Sequence, residues 1–251
     1  MEIKRSKEVV LNRLSKENLA LVSQIGRLAQ AQGMVAYLVG GPVRDLAIKL
    51  PNVDLDITVE GSGIRLAQEF STLHPSSKLV RYPAFKTATV GLSGGHMVDF
   101  ATARKETYSK GGVFPKVVLS NIKDDLFRRD FTINAIAISI NPDSWGKVVD
   151  PFGGMDDLRA KRIRILHEKS FVDDPTRIVR AARFKTRLGF TLERNTLKIL
   201  KRAVKAKVLD TIKPQRYRKE FNKILKEKEA KKAMDCLRSW KAYLMESRFG
   251  R

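Results

Sequence analysis

Asp54 and Asp56 stand two residues apart at the start of a β-rich stretch, residues 55–59. In a strand, residues two apart point to the same face, so this spacing presents two carboxylates side by side. Paired like charges are costly unless a cation sits between them, and oxygen-only ligation with room left for water and phosphate is the pattern Mg²⁺ prefers. Two such ions about 4 Å apart can activate an attacking hydroxyl and neutralise a leaving pyrophosphate. Two solvated acids on an exposed strand face are the competing account of an Asp-x-Asp alone. Upstream, Gly40-Gly41 closes an apolar run and is followed by Arg44. A glycine pair after a strand lets backbone N–H groups approach a triphosphate closely, which shifts the balance toward phosphate chemistry. Asp99 lies between apolar neighbours in Met97-Val98-Asp99-Phe100, where an unpaired acid is expensive to bury. It is a candidate third carboxylate or one half of a structural ion pair. Arg128-Arg129 offers two phosphate forks, or else a solvated basic turn.

The elements that must position these residues follow from periodicity. Apolar residues at Leu19, Val22, Ile25, Leu28 and Ala29 predict a helix over 15–32 that ends at Gly33. A strand over 34–39 runs into the glycine pair, and a second over 55–59 carries the aspartates. Residues 62–73 predict a helix, and 87–92 with 96–100 predict a hairpin around Ser93-Gly94-Gly95. Residues 126–134 predict a helix, continued by a strand or buried segment over 135–140. The polar, glycine-ended segment 101–112 is a connecting loop. After Asp150-Pro151-Phe152-Gly153-Gly154 the chain turns basic and helix-periodic, with helices over 175–188, 195–205, 215–226 and 230–244. This pattern implies an α/β head over residues 1–165 and a small all-α domain over 166–251.

Charge separates the same two regions. The 251 residues hold 49 Lys+Arg against 27 Asp+Glu, a net charge of +22. Residues 166–251 contribute 25 basic and 10 acidic side chains, which marks that region as a surface for a polyanion such as RNA. One cysteine, Cys236, excludes an internal disulfide and a thiolate zinc site, and the three histidines are His74, His96 and His167. Metal chemistry must rest on carboxylates. No apolar run approaches the roughly 20 residues of a membrane span, so a reducing, aqueous compartment, the cytoplasm, is expected.

Five motifs in order extend these readings: Leu38-Val39-Gly40-Gly41-x-Val43-Arg44-Asp45; Asp54-x-Asp56; Asp125-Leu126-x-Arg128-Arg129-Asp130-Phe131-Thr132-Ile133-Asn134-Ala135; Asp150-Pro151-x-Gly153-Gly154-x-x-Asp157-Leu158; and Asp173-Asp174-Pro175-x-Arg177-Ile178-x-Arg180-Ala181-x-Arg183-Phe184. Together they resemble the class II tRNA nucleotidyltransferases and the bacterial poly(A) polymerases. The resemblance implies a polymerase-β-like head followed by a helical neck, with Mg²⁺ held by Asp54 and Asp56. It assigns Arg128, Arg129, Asp130 and Asn134 to the sugar and phosphates of a nucleotide and Asp174 and Arg177 to its base; Gly40, Gly41 and Arg44 are expected to cradle phosphates, and Asp45, Arg180 and Arg183 are further nucleotide-binding candidates. The chemistry of the pair Asp174 and Arg177 fits. A carboxylate accepts from an amino group and a guanidinium donates to a ring acceptor, so the pair suits cytosine and adenine and rejects guanine and uracil. Asp173 or Asp174 also reads as an N-cap, with Pro175 opening the helix.

The resemblance has departures. Asp173 stands where the family usually has Glu, no glycine occurs near Lys49-Leu50 where one often ends a turn, and family members commonly continue into further helices. The chain is therefore a compact member or a fragment. The segment 101–112 matches a region that is a mobile loop in the family. The expected activity is transfer of CMP, AMP or both from CTP and ATP to the 3′ end of tRNA. Addition of AMP to general RNA ends, a non-catalytic RNA-binding relative and a small-molecule nucleotidyltransferase are the alternatives.

Overall fold

A computed structural model of the chain describes residues 10–51, 54–107, 112 and 116–242. The chain forms two units. The first comprises Met1–Glu106, Val117–Arg129 and Ile133–Leu158, and the second Thr107–Lys116, Asp130–Thr132 and Arg159–Arg251. Compositional change places the division a few residues later, at 165/166, and gives no sign that Thr107, Gly112, Lys116 and residues 130–132 belong with the later part of the chain.

The first unit contains α1 (Lys16–Ala31), β1 (Val35–Val39), α2 (Gly41–Ala47), β2 (Leu55–Glu60), α3 (Gly63–Thr72), β3 (Lys78–Tyr82), β4 (Thr87–Gly91), β5 (Met97–Thr102), β6 (Arg104–Thr107), β7 (Lys116–Leu119), α4 (Ile122–Phe127), β8 (Ala137–Ser139), β9 (Val148–Val149) and α5 (Gly154–Arg159). Seven strands form one mixed sheet in the order β3-β4-β5-β2-β1-β8-β9, with β2 and β5 parallel. Helix α1 begins where the Ser15 hydroxyl accepts from the Asn18 N–H at 3.1 Å, and it buries Leu21, Val22, Ile25 and Ala29. Gly33, at φ 64°, turns the chain into β1 as expected. Leu38, Ile57, Phe70, Phe100 and Leu126 are fully buried or nearly so and make the centre of the core.

Several expectations needed correction. The expected helix over 126–134 is instead α4, which ends at Phe127. Asn121 starts it early by accepting from the Asp124 N–H at 3.0 Å, and Asp130 folds its own carboxylate back onto the Phe131 N–H at 2.8 Å, which a continuing helix would not allow. Only residues 137–139 of the apolar 135–140 run are strand. The segment 101–112 is not a loop throughout, since it starts as the end of β5 and all of β6, while 108–111 lie outside the described residues. Strand β3 and helix α2 have no counterpart in the sequence-based expectation.

The second unit contains β10 (Arg162–Ile163), α6 (Ser170–Asp173), α7 (Thr176–Leu188), β11 (Thr191–Leu192), α8 (Arg194–Lys205), α9 (Pro214–Leu225) and α10 (Ala230–Ser239). The expected all-α domain thus also carries a short parallel strand pair, β10 with β11. Residues 243–244 of the expected last helix lie outside the described residues. Helix α7 buries Ile178, Val179, Ala181, Ala182 and Phe184, packs against α9 and α10, and ends at Gly189 with φ 67°. Among the described residues, no helix is long and apolar enough to cross a membrane.

Candidate active site

In the first unit, β2 and β5 run parallel with Asp56 opposite Asp99, and β4 sets Thr89 opposite Asp99. Directly opposed residues share a face, so the period-2 argument holds across three strands. The Thr89 hydroxyl donates to the Asp99 carboxylate at 2.5 Å. Asp54 immediately precedes β2 and is exposed, while Asp56 is half-buried. Burial, reinforced by the charges of Asp99 and Asp54, raises the Asp56 pKa to about 6 against the pull of Arg129 and Arg44. A carboxylate under that strain fits a divalent cation, which would relieve both the burial cost and the repulsion. Among the described residues no three His, Cys, Asp or Glu side chains close a complete metal cage, so such an ion would need phosphate or water to finish its shell.

Beside the carboxylates lies a cleft of about 330 Å³ lined by Asp56, Asp99, Thr87, Thr89, Tyr82 and Arg129, among others. Its basic wall starts at Gly40, where β1 ends with φ 71°. A Cβ at Gly40 would lie 2.6 Å from the Arg129 guanidinium and 3.8 Å from an Asp56 carboxylate oxygen. The glycine is therefore required twice, by its backbone angle and by the close approach of backbone to both charged groups. Arg44 is buried; it grips the Asp45 carboxylate at 2.8 and 2.9 Å and donates to Asn134 Oδ1 at 2.7 Å. Asp45 and Asn134 thus orient Arg44.

Asp125, which the sequence reading left without a role, organises the other basic side chains. It is fully buried and takes Arg128 at 2.7 Å on one oxygen and Arg129 at 3.0 Å on the other. Burial alone would raise its pKa, but the two guanidiniums outweigh that and hold it below the ordinary carboxylate value. Arg128 also reaches Glu106 at 3.2 Å. Arg129 Nε is buried without an acceptor among the described residues, a donor suited to a phosphate oxygen at the cleft wall. The signal that could have found Asp125 was its place three and four residues before the arginine pair.

The second unit holds the remaining candidates. Asp130 receives Arg180 at 2.6 Å, and Arg180 extends to Glu220 at 3.5 Å. Burial works against the Arg180 charge, but Asp130 and Glu220 raise its pKa above the ordinary value. Arg183 lies 4.8 Å from the centre of the Phe184 ring and 3.5 Å from Glu227. Arg180 and Arg183 are thus tied into the helical unit by carboxylates. Helix α7 has Pro175 as its N-cap and Thr176 as its first residue, one position later than expected; Asp174 lies just before the cap, and its Oδ1 accepts from the Thr176 N–H at 3.1 Å and from Arg216 at 3.0 Å. Arg177 is buried and donates to the Ser170 hydroxyl at 2.7 Å. Both base-reading candidates are held in fixed orientations by their own unit.

Residues 36–164 match the family model described as the poly A polymerase head domain, and residues 189–243 match the probable RNA and SrmB-binding site of polymerase A. The chain belongs to the tRNA nucleotidyltransferase and poly(A) polymerase family. It is 40% identical over 233 residues to the A-adding tRNA nucleotidyltransferase of Geobacter sulfurreducens, covering 92% of this chain and 26% of that protein. It is 43% identical over 206 residues to the A-adding enzyme of Aquifex aeolicus, covering 82% of this chain and 25% of that protein. A solved CCA-adding enzyme in an apo form matches with a TM-score of 0.87 at 41% identity, covering 93% of this chain and 55% of that one. The chain therefore spans about a quarter of the length of these two relatives and about half of the solved structure. The α/β head followed by a helical neck is the fold of that family.

Proposed function

We propose that the chain transfers CMP, AMP or both from CTP and ATP to the 3′ end of tRNA, using Mg²⁺, in the cytoplasm. The observation that carries this is the cleft itself, where Asp56 and Asp99 face each other across parallel strands and Gly40 fits between Asp56 and Arg129. Asp54 and Asp56 would hold Mg²⁺, which when bound supplies positive charge at the reacting phosphate and favours ionisation of the attacking hydroxyl. Asp99, fixed by Thr89, faces that hydroxyl. Gly40, Gly41, Arg44, Arg128 and Arg129 receive the triphosphate, whose negative charge compensates guanidiniums that Asp125 and Asp45 hold in place. Pyrophosphate leaves as the RNA 3′-oxygen bonds to the α-phosphorus.

Residues 1–165 are assigned to this chemistry and residues 166–251 to gripping RNA and choosing the base. Asp130 and Asn134 act on the sugar side, with Arg180 and Arg183 supporting the base-reading pair. Asp174 would accept from the amino group of cytosine or adenine, and Arg177 would donate to the neighbouring ring nitrogen.

The test uses tRNA transcripts that end before CCA, after the first C and after CC, each given Mg²⁺ and one labelled nucleotide. Addition of C or A that stops at the mature end supports the proposal. A long ladder of A on every RNA would make the chain a poly(A) polymerase instead.

A further inference from the structure

Tyr82 closes β3 on the same face of the sheet as the carboxylates. It pairs with Thr87, which pairs with Ala101, two residues beyond Asp99, and Thr89 stands opposite Asp99 itself. Partnered residues and those two apart share a face, so Asp56, Asp99, Thr89, Thr87 and Tyr82 lie on one surface, and all five line the cleft. Tyr82 is 46% exposed, and among the described residues its ring has no aromatic, cationic or hydrogen-bonding partner. The turn that follows it is nonetheless anchored. Arg104 donates to the Phe85 carbonyl at 2.7 Å, and the Thr102 N–H donates to the Lys86 carbonyl at 3.0 Å. Arg104 also binds Glu106 at 3.0 Å, and Glu106 binds Arg128. An exposed aromatic ring on a fixed support is a surface built to be covered by a flat, apolar group.

The order of strands says which group. In phosphoryl transfer the attacking and leaving oxygens lie on opposite sides of the phosphorus. On the proposed function, the leaving pyrophosphate lies at Gly40 and Arg129, on the β1 side of β2. The attacking 3′-hydroxyl must then enter from the other side, which is occupied by β5, β4 and β3 in succession. Neighbouring strands are about 4.8 Å apart, so β3 lies about 10 Å from Asp99 across the sheet, the span of a single nucleotide. We infer that Tyr82 is a stacking platform for the base of the RNA's 3′-terminal nucleotide, the one whose hydroxyl attacks. Stacking on an aromatic ring is insensitive to base identity, as it must be where the terminal base changes with each addition.

The inference rests on the proposed activity, and the experiment separates the two. Steady-state kinetics with the full chain compare wild type, Tyr82→Ala, Tyr82→Phe and Tyr82→Trp, on tRNA with an intact terminal nucleotide and on the same RNA with that terminal base removed. Tyr82→Ala is expected to raise KM for RNA about 5- to 100-fold while leaving KM for CTP and ATP unchanged. The Phe and Trp variants should restore it, because stacking needs the ring and not the hydroxyl. Removing the base should penalise wild type and leave Tyr82→Ala nearly indifferent. An unchanged RNA KM in Tyr82→Ala, an increase in nucleotide KM instead, or an equal penalty for the base-free RNA in both proteins would overturn the platform while leaving the proposed function standing. Wild type that extends no RNA at all would remove the proposed function, and the platform with it.

Discussion

Asp56 shows at the scale of one residue how a site can be costly to the protein that carries it. With its pKa near 6 against an ordinary 3.8, the folded chain binds more protons than the unfolded chain between these values, so without divalent ion it loses stability as pH rises through that window. Asp56→Asn removes the buried charge and should stabilise the ion-free protein at neutral pH by roughly 1 to 2 kcal/mol, allowing for solvent screening, as thermal melts would register. The same variant, like Asp54→Ala, should abolish transfer, and added Mg²⁺ should raise the melting temperature of wild type but not of Asp56→Asn. Asp125 behaves in the opposite sense. Its lowered pKa makes it stabilising above the ordinary carboxylate range and progressively less so as pH falls. Asp125→Asn leaves two guanidiniums poorly compensated in a buried setting and should cost about 3 kcal/mol or more in chemical unfolding. It should also raise KM for the nucleotide more than it lowers kcat, because Arg128 and Arg129 lose their orientation.

Backbone geometry governs the predictions that belong to elements. Gly26 lies inside α1, where helix propensity alone would favour alanine, yet a Cβ there would meet the Ile140 carbonyl oxygen at 1.8 Å. Gly26→Ala should therefore destabilise by more than about 1 kcal/mol in urea titration, reversing the sign expected from propensity. Lys49 is the reverse case. It occupies φ 60° in the turn after α2, a left-handed backbone angle that favours glycine. Lys49→Gly should be stabilising by roughly 0.5 to 1 kcal/mol through relief of left-handed strain. Helix α8 is anchored by Glu193, whose two oxygens accept from the Asn195 and Thr196 N–H groups at 2.8 and 2.7 Å. Periodicity placed the body of α8 correctly but missed this cap, because Glu is not among the usual N-cap residues.

For the whole molecule, the net charge of +22 should make the proposed association with RNA strongly salt-dependent. Each phosphate neutralised releases counterions, with a slope of about −0.7 to −0.9 in log affinity per log salt. Binding of tRNA should weaken by on the order of tenfold or more between 50 and 200 mM salt, measured by filter binding, while KM for CTP or ATP changes less. A salt-insensitive affinity would remove the basic second unit from RNA binding.

What was legible in the sequence was what chain spacing alone determines. Asp54-x-Asp56, Gly40-Gly41 and the amphipathic stripes of α1, α3, α7 and α8 are local patterns, and a strand or helix translates them directly into faces. The family followed from the order of such patterns. What only tertiary structure decided was which local patterns meet. The parallel pairing of β2 with β5 sets Asp99 opposite Asp56, although 42 positions in the numbering separate them. Asp125 became an organising residue only once a fully buried site gave its charge two guanidiniums to hold, and α4 stopped at Phe127 where periodicity alone would have continued it. Tyr82 carried no signal in the sequence, since an aromatic residue at a strand end most often belongs to a core. It took the order of seven strands to leave that ring exposed on the same face as the aspartates, because sheet order is set by long-range packing that no short window of residues contains.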